Sequence, residues 1–219
     1  MVTMTYFKRR AGRAVLGAVL ALGAVGGLAP GAQANDFGYP SGCCSFADNG
    51  QHWYNDDSLE SRTKSAFRYA MGNLDAQSVM SDAYDASPNA STDVEAYDAY
   101  YVDTWDLDWD GSTTGYNLYG YAKCVKAIAP TPSEDDWRCD QYEVRFDLRD
   151  VDGFSTDQRR ALACHEVGHT VGLSHSTESS SCLRTGAHTT VKYSAHDVSH
   201  LYTRYGPRLS KPMSGGGAK

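Results

Sequence analysis

The chain has 219 residues, with 20 Lys and Arg against 27 Asp and Glu and a formal net charge of −7. That acidity argues against nucleic acid and anionic membrane surfaces as partners, and the length suits one domain with a sizeable core rather than two.

At the N-terminus Lys8, Arg9, Arg10 and Arg13 precede an apolar run from Ala14 to Leu28 that ends in Ala32-Gln33-Ala34. This is the pattern of a secretory signal peptide with a small-residue cleavage site. A membrane anchor is the competing reading, but the run is short, broken by Gly17, Gly23, Gly26 and Gly27, and followed by Pro30. The Arg9-Arg10 pair lacks the surroundings of a twin-arginine leader, so general secretion is expected, with no membrane contact after cleavage. The expected organisation is a signal peptide over 1–34, a loop or short pro-region over 35–57, a single folded domain over 58–206 and a flexible tail over 207–219.

The segment from Asn35 to Asp57 is rich in Gly, Asn, Asp and Pro and reads as an ordered loop or short pro-region. Ser58 then caps a helix in which Leu59, Ala66, Phe67, Ala70, Met71 and Leu74 recur near helical spacing, with Arg62, Lys64 and Arg68 facing outward. Alternation of Val94, Ala96, Tyr100 and Val102 predicts a half-buried strand between Thr92 and Val102, and Tyr116–Val125 and Tyr142–Phe146 are further strand candidates. Asp106, Asp108, Asp110 and Gly111 mimic the start of a calcium loop, but its twelfth position is Asn117 rather than a bidentate glutamate. A solvated acidic turn explains the segment, and Ca2+ has no support beyond that likeness; Trp105 and Trp109 beside it read as packing residues. Ala129–Asp136, with Pro130 and Pro132, is a surface loop.

All six cysteines follow the cleavage site, in a chain bound for an oxidising compartment, so disulfides are expected. Six cysteines allow 15 pairings. Proximity suggests Cys124 with Cys139 and Cys164 with Cys182, leaving Cys43 and Cys44. A zinc-thiolate site is the competing reading, disfavoured because no Cys-x-x-Cys spacing occurs.

The chemistry gathers near the end of the chain. Ser155 and Gln158 form a capping box, with Thr156 and Asp157 suited to the first turn of a helix running to about Val171. His165 and His169 sit on it at i, i+4, roughly 40° apart in rotation, so both imidazoles leave one face and can share a metal. Glu166 is placed to reach a water at that metal without ligating it, as a general base. Gly172 suits a left-handed helix stop, and His175 follows as a third ligand. Three imidazoles leave a fourth tetrahedral position open, as in catalytic rather than structural zinc sites. His52, His188, His196 and His200 lack such spacing and are assigned no role.

The run His165-Glu166-Val167-Gly168-His169-Thr170-Val171-Gly172-Leu173-Ser174-His175 resembles the zinc signature of the metzincin metallopeptidases, most like matrixin-type or small secreted bacterial (snapalysin-like) members. Tyr193–Tyr202 looks like the closing helix of matrixin-like domains, and in outline the resemblance spans about residues 52–206. It implies an α+β fold: a twisted mixed sheet with an antiparallel edge strand near Gly120–Cys124, a backing helix, a zinc-binding helix and a C-terminal helix. It also implies a Zn2+ cofactor and a monomeric endopeptidase that binds extended or unfolded polypeptide by strand addition. One departure stands out. Metzincins carry a methionine turn beneath the metal, and this chain has no methionine between His175 and Met213; Cys182-Leu183-Arg184 occupies the place. Leu183 could then supply the apolar floor, clamped by a Cys164–Cys182 bridge. No cysteine switch appears. The rival readings are a secreted zinc-binding module without turnover and a metal-free, disulfide-stabilised adhesion or inhibitor domain.

Overall fold

The computed structural model describes residues 44, 46–101, 119–132 and 136–207. The leader, Cys43, the acidic Asp106–Asn117 segment and the tail beyond residue 207 lie outside the described residues. In chain order the elements are β1 (Phe46–Ala47), β2 (Gln51–Asn55), α1 (Ser61–Gln77), β3 (Ser81–Tyr84), β4 (Val94–Ala99), β5 (Gly120–Ile128), β6 (Arg138–Asp147), α2 (Leu148–Val151), α3 (Thr156–Thr170) and α4 (Ala195–Tyr205).

The strands form one sheet in the order β1-β6-β4-β2-β3, with β5 on the other side of β6. The β1–β6, β6–β4, β4–β2 and β2–β3 pairs are parallel. β5 runs antiparallel to β6, from Gly120 opposite Phe146 to Ile128 opposite Arg138. The fold is therefore mixed α/β with mostly parallel pairing, and α1 supplies the crossover that parallel neighbours β2 and β3 require.

Side-chain alternation builds the core. Val94 and Ala96 of β4 and Tyr142, Val144 and Phe146 of β6 are buried. Against them lies the apolar face of α1, where Phe67 meets Phe146 edge-on at 6.3 Å and Tyr54 at 5.7 Å. The intervening positions carry a polar ladder in which the Tyr97 hydroxyl donates to Glu95 and Arg145 pairs with Glu143. The helix face of α1 follows the predicted spacing, with Ala66, Phe67, Ala70, Met71 and Leu74 all buried. Its start does not. The cap is Glu60 rather than Ser58, because the Leu59 N–H bonds back to the Asp56 carbonyl and the Glu60 carboxylate reaches the N–H groups of Arg62 and Thr63.

Several boundaries also move. Part of the segment expected to be loop is strand: β2 lies between β3 and β4. A short strand among Asn and Asp residues, whose partners are remote in sequence, has no periodicity to betray it. β3 and the single turn of α2 were equally silent. The strand expected over Thr92–Val102 is confined to Val94–Ala99. The Tyr142–Phe146 strand begins earlier, at Arg138, and the Tyr116–Val125 candidate becomes Gly120–Ile128. Pairing with β5, and the Cys124–Cys139 disulfide that ties the two strands (Cα–Cα 5.7 Å), extend both past the reach of local pattern.

One buried group gives the fold a pH dependence. His52 on β2 is 1% exposed, with Nε2 3.1 Å from the Thr170 hydroxyl. Burial pulls its pKa from 6.5 down to about 4. The unfolded chain takes up this proton below about pH 6.5 and the folded chain only near pH 4, so the stability from neutral burial is full above 6.5 and is lost as pH falls to 4. The expected loss is on the order of 3 kcal/mol. Denaturant midpoints at pH 7.5 and 4.5 test this; His52→Gln should shrink the drop, and an unchanged drop would remove His52 from the acid response.

Candidate metal centre

The helix that carries the site is set by its ends. At the N-terminus the Ser155 and Gln158 side chains satisfy each other's backbone N–H groups, and Asp157 complements the helix dipole. At the C-terminus the Leu173 N–H bonds the Gly168 carbonyl at 3.0 Å and the Gly172 N–H bonds the His169 carbonyl at 3.2 Å. Gly172 has φ +92°, so a glycine is needed for this reversal. The chain turns back at once and delivers His175 to the face already occupied by His165 and His169.

The three imidazoles converge. Their ring centroids are 4.6, 5.0 and 5.1 Å apart, and one ligand nitrogen from each lies within 4.8 Å of the others. His165 Nδ1 is 3.1 Å from the Cys182 carbonyl and His169 Nδ1 is 2.7 Å from the Leu173 carbonyl. A carbonyl only accepts, so each Nδ1 carries the proton and each Nε2 presents a lone pair. Burial lowers the pKa of all three, that of His169 to about 4; the charges of His169 and His175 add to the effect on His165. The group is thus neutral at physiological pH, as metal binding requires. These residues could hold a metal ion, and the donor set of imidazoles with an open side fits zinc.

Glu166 lies beside them, 4% exposed, and burial raises its carboxyl to about 8. The group faces a cleft of about 620 Å³ whose walls are the Tyr119–Cys124 segment and the Arg184–His188 loop. His188 lines that cleft, but its Nδ1 accepts from the Thr190 N–H and its Nε2 faces the Arg184 carbonyl, so both nitrogens hold the loop. His196 and His200 repeat the ring geometry of the first pair at 4.4 Å and 87°, yet no third ligand group joins them among the described residues.

Beneath the ligands, Leu183 is fully buried and Cys182 is bridged to Cys164 of α3 (Cα–Cα 5.9 Å). A Cβ on Gly168 would meet both Leu183 methyls at 3.0 Å. The turn is further tied by Cys182 N–H to the Lys192 carbonyl at 2.7 Å, and by Ser181, whose hydroxyl bridges Asp197 and the Leu183 N–H. Sequence reasoning gave Gly168 no role. A glycine inside a helix costs about 1 kcal/mol against alanine, which is the signal that a neighbour packs where its side chain would be.

No protein-family model matches the chain, and no curated protein is significantly similar to it. The Cys124–Cys139 and Cys164–Cys182 bridges fit an extracellular protein. Among the described residues no helix is long and apolar enough to cross a membrane.

Proposed function

We propose that this chain is a secreted zinc-dependent endopeptidase of the metzincin type, acting on extended or unfolded polypeptide. The observation that carries the reading is the convergence of His165, His169 and His175, two of them with Nδ1 committed to backbone carbonyls, beside a buried Glu166 at the floor of an open cleft. A purely structural metal site has no use for a carboxylate there.

When bound, zinc supplies Lewis acidity that polarises a peptide carbonyl and acidifies a water. The rest falls to the chain. His165, His169 and His175 would hold the ion, the first two through the Nε2 left free by their Nδ1 hydrogen bonds. Burial alone favours the protonated Glu166, and the positive charge of a bound ion would favour its carboxylate, which would accept a proton from the attacking water and return it to the departing amine nitrogen. Among the described residues β5 pairs with β6, and the Tyr119–Cys124 segment lines the cleft, so a substrate strand would lie along that segment. The buried Leu183 supplies the apolar floor that the missing methionine would otherwise give, which weakens the case for a module without turnover.

The test is cleavage of unfolded casein by protein starting at Asn35. Activity is expected to vanish with a zinc chelator and return with zinc. Glu166→Ala is expected to lower kcat by about 10²–10⁴-fold while zinc stays bound. A folded, zinc-loaded protein that cleaves no unfolded substrate would favour the binding module, and a folded protein that takes up no zinc would favour the adhesion or inhibitor domain.

A further inference from the structure

Gly120 opens β5, where a glycine gives up strand propensity and a side chain to pack. Its φ is not in the left-handed region, so the backbone itself would accept alanine. The reason for the glycine lies across the cleft. A Cβ at this position would stand 2.7 Å from Glu166 Oε1, 2.9 Å from its Cγ and 3.0 Å from its Cδ. Every nearest atom is the Glu166 side chain.

The strand cannot retreat to make room. Gly120 is in register with Phe146 of β6, and the Asp147 N–H bonds the Tyr119 carbonyl at 3.0 Å. Tyr119 also packs edge-on at 5.0 Å against Phe154, the residue before the cap of α3. The stretch of α3 that carries Glu166 is equally fixed, because the neighbouring His165 is held by the Cys182 carbonyl and Cys164 is bridged to Cys182. Two anchored elements therefore meet with one missing methyl between them.

We infer that Gly120 is a positioning residue: its bare Cα forms the wall that selects the Glu166 rotamer from which the carboxylate faces the cleft. This rests on the endopeptidase reading for its catalytic meaning, but the contact itself can be tested without turnover. In thermal melts, Gly120→Ala should lower the melting temperature of the otherwise unaltered protein. In a Glu166→Ala background the same change should be neutral or stabilising, since the new methyl enters vacated space and alanine suits a strand better. Equal losses in both backgrounds would overturn the contact.

The kinetic arm separates positioning from general damage. Gly120→Ala is expected to lower kcat by about 100-fold, the scale for a reacting group displaced by about 1 Å. KM and zinc content should stay within about twofold, because the ligands and the outer cleft are untouched. Unchanged kcat, or a fall shared equally with zinc content, would overturn the positioning role. If the unaltered protein turns over no peptide, the endopeptidase reading fails and the kinetic role with it, while the melts still decide the contact.

Discussion

Leu183→Ala is expected to cost about 2–5 kcal/mol in stability and to weaken zinc binding, whereas Leu183→Met should cost less than about 1.5 kcal/mol. Leu183 is fully buried, packed onto the bare Cα of Gly168 one residue before His169. Truncation leaves a void directly under the helix turn that presents two imidazoles. The damage extends to the third, because the Leu183 carbonyl accepts from the Ser176 N–H at 2.9 Å, next to His175. Methionine conserves volume and adapts its shape, so it should fill the same space. Denaturant unfolding and competition for zinc against a chelator of known affinity measure both effects. Zinc affinity unchanged in the alanine variant would show that the ligands are held by their own helix and turn, with no contribution from the floor.

Loss of the Cys164–Cys182 bridge is the second large effect. Replacing both cysteines by serine should destabilise the protein by about 3 kcal/mol, the scale for a loop of this length. It should also weaken zinc binding by about 10–100-fold, because the Cys182 carbonyl is the acceptor that orients His165 Nδ1. The same replacement of Cys124 and Cys139, which join β5 to β6, should cost comparable stability and leave zinc affinity alone. Equal zinc affinity in both variants would mean that the hydrogen bonds from Ser181, Cys182 and Ser176 suffice to hold the turn.

The chain builds the underside of the site with a buried leucine, a bridge and a set of backbone bonds, where the resembled family uses a methionine. Gly168 and Gly120 are the counterparts of this construction, each a position where one added methyl would collide, the first with the floor and the second with Glu166.

What the sequence determined alone is what depends on near neighbours. The capping box at Ser155, the helical pairing of His165 with His169, the stop at Gly172 and the arrival of His175 all arise within about twenty residues of continuous chain, through i, i+4 geometry and terminal hydrogen bonds. The apolar face of α1 was legible for the same reason. The tertiary structure decided the rest. β2 and β3 are strands only because remote partners complete their ladders, and Glu60 caps α1 because the preceding turn brings it there. The acceptors that set the histidine tautomers are backbone carbonyls, which no residue type announces. Gly120 acquires its meaning only when antiparallel pairing with β6 lays it over a helix whose sequence begins more than thirty residues later. Such contacts join segments distant in sequence and leave no periodic trace in either one.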